Sequence, residues 1–147
     1  MTPQQERILD EARSWIGTPY VHQASCKGAG ADCLGLVRGV WRGVVGQEPE
    51  AVPPYSPDWG EAAGCELLQA AALRWLVPSE GSTIRPGEVL LFRMRDGRVA
   101  KHLGIASGLD SFIHAYSGHG VIENRLSGPW ARRIVARFRF PLLQGAE

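Results

Sequence analysis

Apolar positions in the first 45 residues recur at helical spacing, whereas those after residue 88 alternate with polar ones. The first pattern predicts helices and the second predicts strands. Thr2, Pro3 and Gln5 form a capping-box start. Ile8, Leu9, Ala12, Trp15 and Ile16 then give the first helix one apolar face, until Gly17 and Pro19 stop it. A polar, glycine-rich stretch, HQASCKGAGAD, follows as a loop. A second helix starts near Asp32–Cys33 and carries Leu36, Val37, Val40, Trp41 and Val44 on one face. Gly35, Gly39 and Gly43 weaken its intrinsic propensity, so they imply close packing against a neighbour. Residues 46–60 hold four prolines and form a long irregular connector, either functional or simply wrapped over the surface. A third helix, rich in Ala and Leu, covers roughly 61–76 and stops before Pro78.

EVLLFRM and RVAKHLGIAS flank the turn Arg95-Asp96-Gly97 as a hairpin, and DSFIHAYS, GVIENRL and RIVARFRF add three more strands. Helices first and strands afterwards define an α+β fold, with N-terminal helices packed on a roughly five-stranded antiparallel sheet. A length of 147 residues fits a single domain over 1–147. Apolar residues at 44% and charged residues at 21% describe a folded chain rather than a disordered one. No apolar run approaches the ~20 residues of a membrane span. The N-terminus lacks the pattern of a secretory signal, so synthesis in the cytoplasm without a signal peptide is expected. A net charge of +1 argues against a general nucleic-acid binder.

Three cysteines, Cys26, Cys33 and Cys65, are too few for a disulfide framework. Cys33 sits where the glycine-rich loop meets a helix N-terminus, whose free N–H groups and dipole favour a thiolate. Its expected pKa therefore lies below the ~8.5 of an ordinary thiol. Cys26 lies in mid-loop, and Cys65 reads as a small core residue in the third helix. A thiolate nucleophile needs an imidazole base, itself oriented by a third group. If Ser107, Gly108 and Leu109 form a three-residue hairpin loop, His102 faces His114 directly on one side of the sheet. A two-residue loop would place the rings on opposite faces. The pair could instead be half of a metal site with Cys33 as third ligand, but no fourth ligand stands at a recognisable spacing. Neither a metal nor another cofactor is expected.

GTPYVHQ…GADCLGLVRGVW together with KHLGIASGLDSFIHAYSGHGVIE resembles the NlpC-type papain-like cysteine peptidases of bacterial cell walls. The resemblance runs from about Trp15 to Arg139 and lies nearest the short phage-tail and gene-transfer-agent branch, which carries Asp-Cys-Leu-Gly-Leu at the nucleophile. It implies a papain-like fold, Cys33 as nucleophile, His102 as general base and acid, and His114 as the orienting member of a Cys–His–His triad. Tyr20 would line the site near the oxyanion, and Asp32 would cap the helix with substrate contact open to it. The implied substrate is a peptidoglycan stem peptide, and the implied partners are tail-tip or baseplate proteins of a phage-like particle that carries the chain to the wall. Leu34 stands where many relatives have Ser, and Val21-His22-Gln23 replaces their glycine pair, so the bond cut stays open. A tail-tip adaptor that keeps the fold, or a Cys–His acyltransferase or deamidase, are the competing readings. His119 reads as a turn residue, and Arg132, Arg133, Arg137 and Arg139 as a solvated face.

Overall fold

Helix α1 (Pro3–Ser14) begins with the capping box its sequence calls for. Thr2 Oγ1 accepts the Gln5 N–H at 3.1 Å, and Gln5 Oε1 accepts the Thr2 N–H at 2.7 Å. The computed structural model describes residues 1–57, 59, 66–95 and 98–141. Ile8, Leu9 and Ala12 enter the core, and Trp15 follows them as the C-cap. Ile16 departs from the expected face and is 44% exposed, because the helix has already ended at Ser14.

The glycine-rich stretch is not wholly irregular. Strands β1 (Ser25–Cys26) and β2 (Gly30–Ala31) form a small antiparallel hairpin, with Tyr20 bridged to Ala31 beside it. Helix α2 (Cys33–Val44) leaves that hairpin directly. Its three glycines are contact points, as expected. A Cβ on Gly35 would lie 1.8 Å from the Ala24 carbonyl oxygen, and one on Gly39 would lie 2.0 Å from the Trp15 ring. One on Gly43 would lie 2.6 Å from the Glu11 carboxyl. Small residues thus let α2 lie flat against the hairpin and α1.

Helix α3 (Leu67–Trp75) occupies the later part of the predicted third helix. Residues 61–65, with the Cys65 expectation, lie outside the described residues, as do Asp96 and Gly97 of the predicted turn. Among the described residues the main sheet has six strands rather than five. They are β3 (Val77–Pro78), β4 (Val89–Arg93), β5 (Ala100–Ala106), β6 (Ser111–Tyr116), β7 (Gly120–Arg125) and β8 (Ile134–Arg139). Their spatial order is β3-β8-β4-β5-β6-β7, antiparallel throughout. The additional strand, β3, is two residues long and too short to show alternation. Its proline is tolerated because it lies at the sheet edge. A short helix, α4 (Gly128–Ala131), links β7 to β8.

Both faces of β4 are covered. Val89 and Leu91 join the helix-side core with Ile8, Leu36 and Val40, while Leu90 and Phe92 cluster with Ala106, Phe112 and Trp130 on the other side. Arg137 is a correction to the solvated-face expectation. It bonds the buried Glu88 carboxylate at 2.7 Å and the Thr83 carbonyl at 2.9 Å, tying β8 to the segment before β4. No helix among the described residues is long and apolar enough to cross a membrane.

The Gly39 contact makes a prediction of sign. Gly→Ala in a helix interior stabilises by about 1 kcal/mol on propensity alone. Here the methyl group must displace the buried Trp15 ring, an overpacking that costs about 1–3 kcal/mol. Gly39→Ala should therefore lower the midpoint of urea unfolding, and a raised midpoint would refute the contact.

Candidate active site

Cys33 occupies the first position of α2, and the residue before it builds the surroundings. Asp32 is the N-cap: Oδ1 accepts the Gly35 N–H and Oδ2 the Gln23 N–H, both at 2.7 Å. The Tyr55 hydroxyl donates a third hydrogen bond to Oδ2. The capping role read from sequence is present, and the same carboxylate also holds two loops. Tyr20, Asp32, Cys33, Trp59 and His102 line one cleft of about 140 Å³. His114 lies behind that cleft rather than in it, fully buried.

The two imidazoles meet on one face of the sheet, but not in the expected register. Ile105 pairs with Ile113 and Ala106 with Phe112, so the loop after β5 is displaced by one residue from the predicted Ser107–Leu109. Continued along the strands, this register puts Gly104, not His102, opposite His114. The offset is two residues, and a period of two preserves the face. His102 therefore reaches His114 diagonally, with Nε2 and Nδ1 2.7 Å apart. Glycine at 104 keeps the path open: a Cβ there would lie 2.9 Å from the Phe112 ring and 3.4 Å from His114 Cβ. Trp130 of α4 packs its ring 5.9 Å from His102 and 5.2 Å from His114, shielding both from water.

Burial sets the charge states. The Cys33 thiol, 5% exposed, is pushed up to about 12 by burial and then by the Asp32 charge. Backbone hydrogen bonds from Leu103, Leu34 and Cys33 pull the other way without prevailing. The low thiol pKa expected from the helix terminus is thus overturned in the free protein. Burial, followed by the neighbouring His114, brings His102 down to about 3. Burial brings His114 down to about 4, against the hydrogen bond it donates to Asn124, which favours its charged form. Burial also raises the Tyr20 phenol to about 12, assisted by Cys33 and Asp32, so it stays a hydrogen-bond donor. At neutral pH the thiol and both imidazoles are uncharged.

One contributor has no signal in the sequence, and a second, in the proline-rich loop with Tyr55 and Trp59, stays open there between a substrate wall and a docking handle. Asn124 Oδ1 lies 2.6 Å from His114 Nε2. A lone asparagine among charged residues on a strand carries no signal of that contact. The proline-rich connector supplies Pro57 and Trp59 to the cleft lining, and Tyr55 stacks on Trp59 at 4.2 Å. It is strapped down by Glu48 to Arg38 and Arg42, and by Gln47 to Trp41. Its prolines and aromatics leave a functional role and a surface wrapping equally open. Cys26 is exposed and apart from the cleft. His119 lies in the β6–β7 turn, as expected, stacked on Tyr116. Among the described residues, no group of three or more His, Cys, Asp or Glu is placed to hold a metal ion.

A helix with cysteine on its first turn, packed against an antiparallel sheet that bears the histidine, is a papain-like arrangement. The chain belongs to the NlpC/P60 family, whose profile matches residues 17–139. It is 28% identical over 138 residues to the murein DD-endopeptidase MepS/murein LD-carboxypeptidase of Escherichia coli (strain K12), covering 89% of this chain and 63% of that protein. It is 29% identical over 136 residues to the gamma-DL-glutamyl hydrolase of Bacillus subtilis (strain 168), covering 90% of this chain and 29% of that one. The chain thus spans less than two thirds of the length of these relatives. Among solved structures, an NlpC/P60 family protein of Bacillus cereus superposes with a TM-score of 0.65 at 16% identity, covering 95% of this chain and 41% of that one. The NlpC/p60 domain of the peptidoglycan hydrolase SagA gives 0.60 at 22% identity, covering 92% and 98%. Both share the fold.

The charge states predict how Cys33 reacts with iodoacetamide. The thiol is neutral until pH approaches its raised pKa, so the rate at Cys33 should climb continuously from pH 6 to pH 10. Peptide mapping separates Cys33 from exposed Cys26. A rate at Cys33 that stays high and flat down to pH 5 would mean a preformed thiolate–imidazolium pair and contradict the assignment.

Proposed function

We propose that this chain is a cysteine peptidase domain that hydrolyses amide bonds in peptidoglycan stem peptides, with Cys33, His102 and His114 as its triad. The observation that carries the reading is a shared cleft: Cys33 and His102 line it together, and His102 is backed by His114. Its relatives, named as a murein endopeptidase and a gamma-DL-glutamyl hydrolase, supply the substrate class.

The reaction follows from the uncharged resting state. As Cys33 Sγ forms a bond to the amide carbon, its proton passes to His102, and the carbonyl π electrons move onto oxygen. In this reading the Cys33 backbone N–H at the helix start and the Tyr20 hydroxyl hold that oxyanion. The C–N bond then breaks as the His102 imidazolium returns the proton to the leaving nitrogen. A water molecule, deprotonated by His102, attacks the thioester and releases the acid and the thiol. His102 must become cationic in a dry setting, so this proton transfer accompanies bond formation rather than preceding it. Asp32 shapes the cleft beside the nucleophile, its carboxylate already engaged by Gly35, Gln23 and Tyr55. The Asp32-Cys33-Leu34-Gly35-Leu36 run supports delivery to the wall on a phage-like tail, docked to tail-tip proteins.

Isolated Gram-negative sacculi test the reading. Wild-type protein should release new muropeptides detectable by mass spectrometry, with Cys33→Ala reduced at least about 1,000-fold. The fragment masses name the bond. Equal release by both proteins would exclude Cys33 as nucleophile, and release by neither would exclude a peptidase active on its own.

A further inference from the structure

We infer that Asn124 is a positioning residue: its side-chain oxygen fixes the proton arrangement of the imidazole pair so that His102 presents a bare Nδ1 to the cleft. The inference rests on the roles proposed for Cys33 and His102 and adds a fourth member behind them.

The argument is one of donors and acceptors. An amide oxygen only accepts, so a 2.6 Å contact from Asn124 Oδ1 requires a proton on His114 Nε2. His114 is neutral, which leaves its Nδ1 without a proton and able only to accept. The 2.7 Å contact to that atom then requires a proton on His102 Nε2. His102 is neutral as well, so its Nδ1 is the free base. Without an acceptor at residue 124, the opposite chain becomes available. His114 Nδ1–H would donate to His102 Nε2, and His102 Nδ1 would carry a proton. That ring offers a donor where the thiol needs an acceptor.

The sheet places the three groups in one row. His114 pairs with Ile122 and Phe112 with Asn124, so Asn124 approaches His114 along the diagonal, as His102 does from the other strand. The groups facing the pair are Phe92 on β4, Phe112 and Tyr116 on β6, Trp130 on α4 and His119 in the β6–β7 turn. None is a carboxylate, and among the described residues no ion pair reaches either ring. The amide oxygen is therefore the contact that discriminates between the two proton arrangements. During attack the thiol proton moves to His102 Nδ1, and during expulsion it moves on to the leaving nitrogen. Asn124 and His114 keep their own protons throughout.

The test uses two variants of the full chain. Asn124→Leu removes the acceptor at similar volume, whereas Asn124→Asp keeps an oxygen that accepts. Long-range ¹H–¹⁵N spectra of histidine-labelled protein report which ring nitrogen carries each proton, with no substrate needed. Wild-type protein should show Nε2–H on both His102 and His114. Asn124→Leu should mix the His114 forms and lower both Cys33 alkylation and kcat by about tenfold to a hundredfold, with KM changed less than about twofold. Asn124→Asp should restore Nε2–H and most of the rate. Nδ1–H on His114 in the wild type, or an Asn124→Leu protein with unchanged spectra and rates, would overturn the inference. Should Asn124→Leu fail to fold, the wild-type spectrum and Asn124→Asp still decide. Absent turnover in the wild type would count against the peptidase reading alone, because the spectra and alkylation do not depend on it.

Discussion

The carboxylate of Asp32 gathers three parts of the chain at one point. It caps the first turn of α2 through Gly35, holds the glycine-rich loop through Gln23, and receives the proline-rich connector through Tyr55. Loss of a buried acceptor strands its donors at about 1–3 kcal/mol each, so the cleft's walls share a common support. The same charge lies next to Cys33 and disfavours a thiolate there. Capping of the helix by Asp32 and formation of a thiolate at Cys33 thus oppose each other at adjacent residues.

That opposition shapes the chemistry. A helix N-terminus usually eases a thiol towards its anion, and three backbone hydrogen bonds do so here. Burial and Asp32 outweigh them, and burial also keeps the imidazoles neutral. With no ion pair formed in advance, the proposed reaction depends on the direction in which His102 accepts a proton. In that proposal the buried row from His102 through His114 to Asn124 supplies the direction, and the Trp130 ring packs against both imidazoles.

The sequence made much of this readable where the cause is local. Thr2, Pro3 and Gln5 announce a cap through contacts three residues apart, and the glycines of α2 announce close packing by their spacing. Cys33 at a loop–helix junction could be chosen over Cys26 by position. The imidazole pair was placed on a shared face through a register that is off by two, a displacement that side-chain alternation forgives. What escaped, or stayed undecided as for Tyr55, depends on distant partners. Asn124 matters only because β7 lies beside β6. Tyr55 matters only because the connector folds back over Asp32, and no periodicity in a proline-rich segment encodes that. The thiol's charge state escaped for the same reason: burial belongs to the packed molecule, not to the residues flanking Cys33.

The central claim is that Cys33 attacks an amide and carries the acyl group. Acid quenching of wild-type protein during reaction with soluble muropeptides, followed by mapping of the peptide that contains Cys33, tests it most directly. The account predicts a transient mass increase on that peptide alone, equal to the acyl fragment and absent after hydroxylamine treatment. Product formation with no adduct on Cys33 at any quench time, or an adduct confined to Cys26, would contradict it.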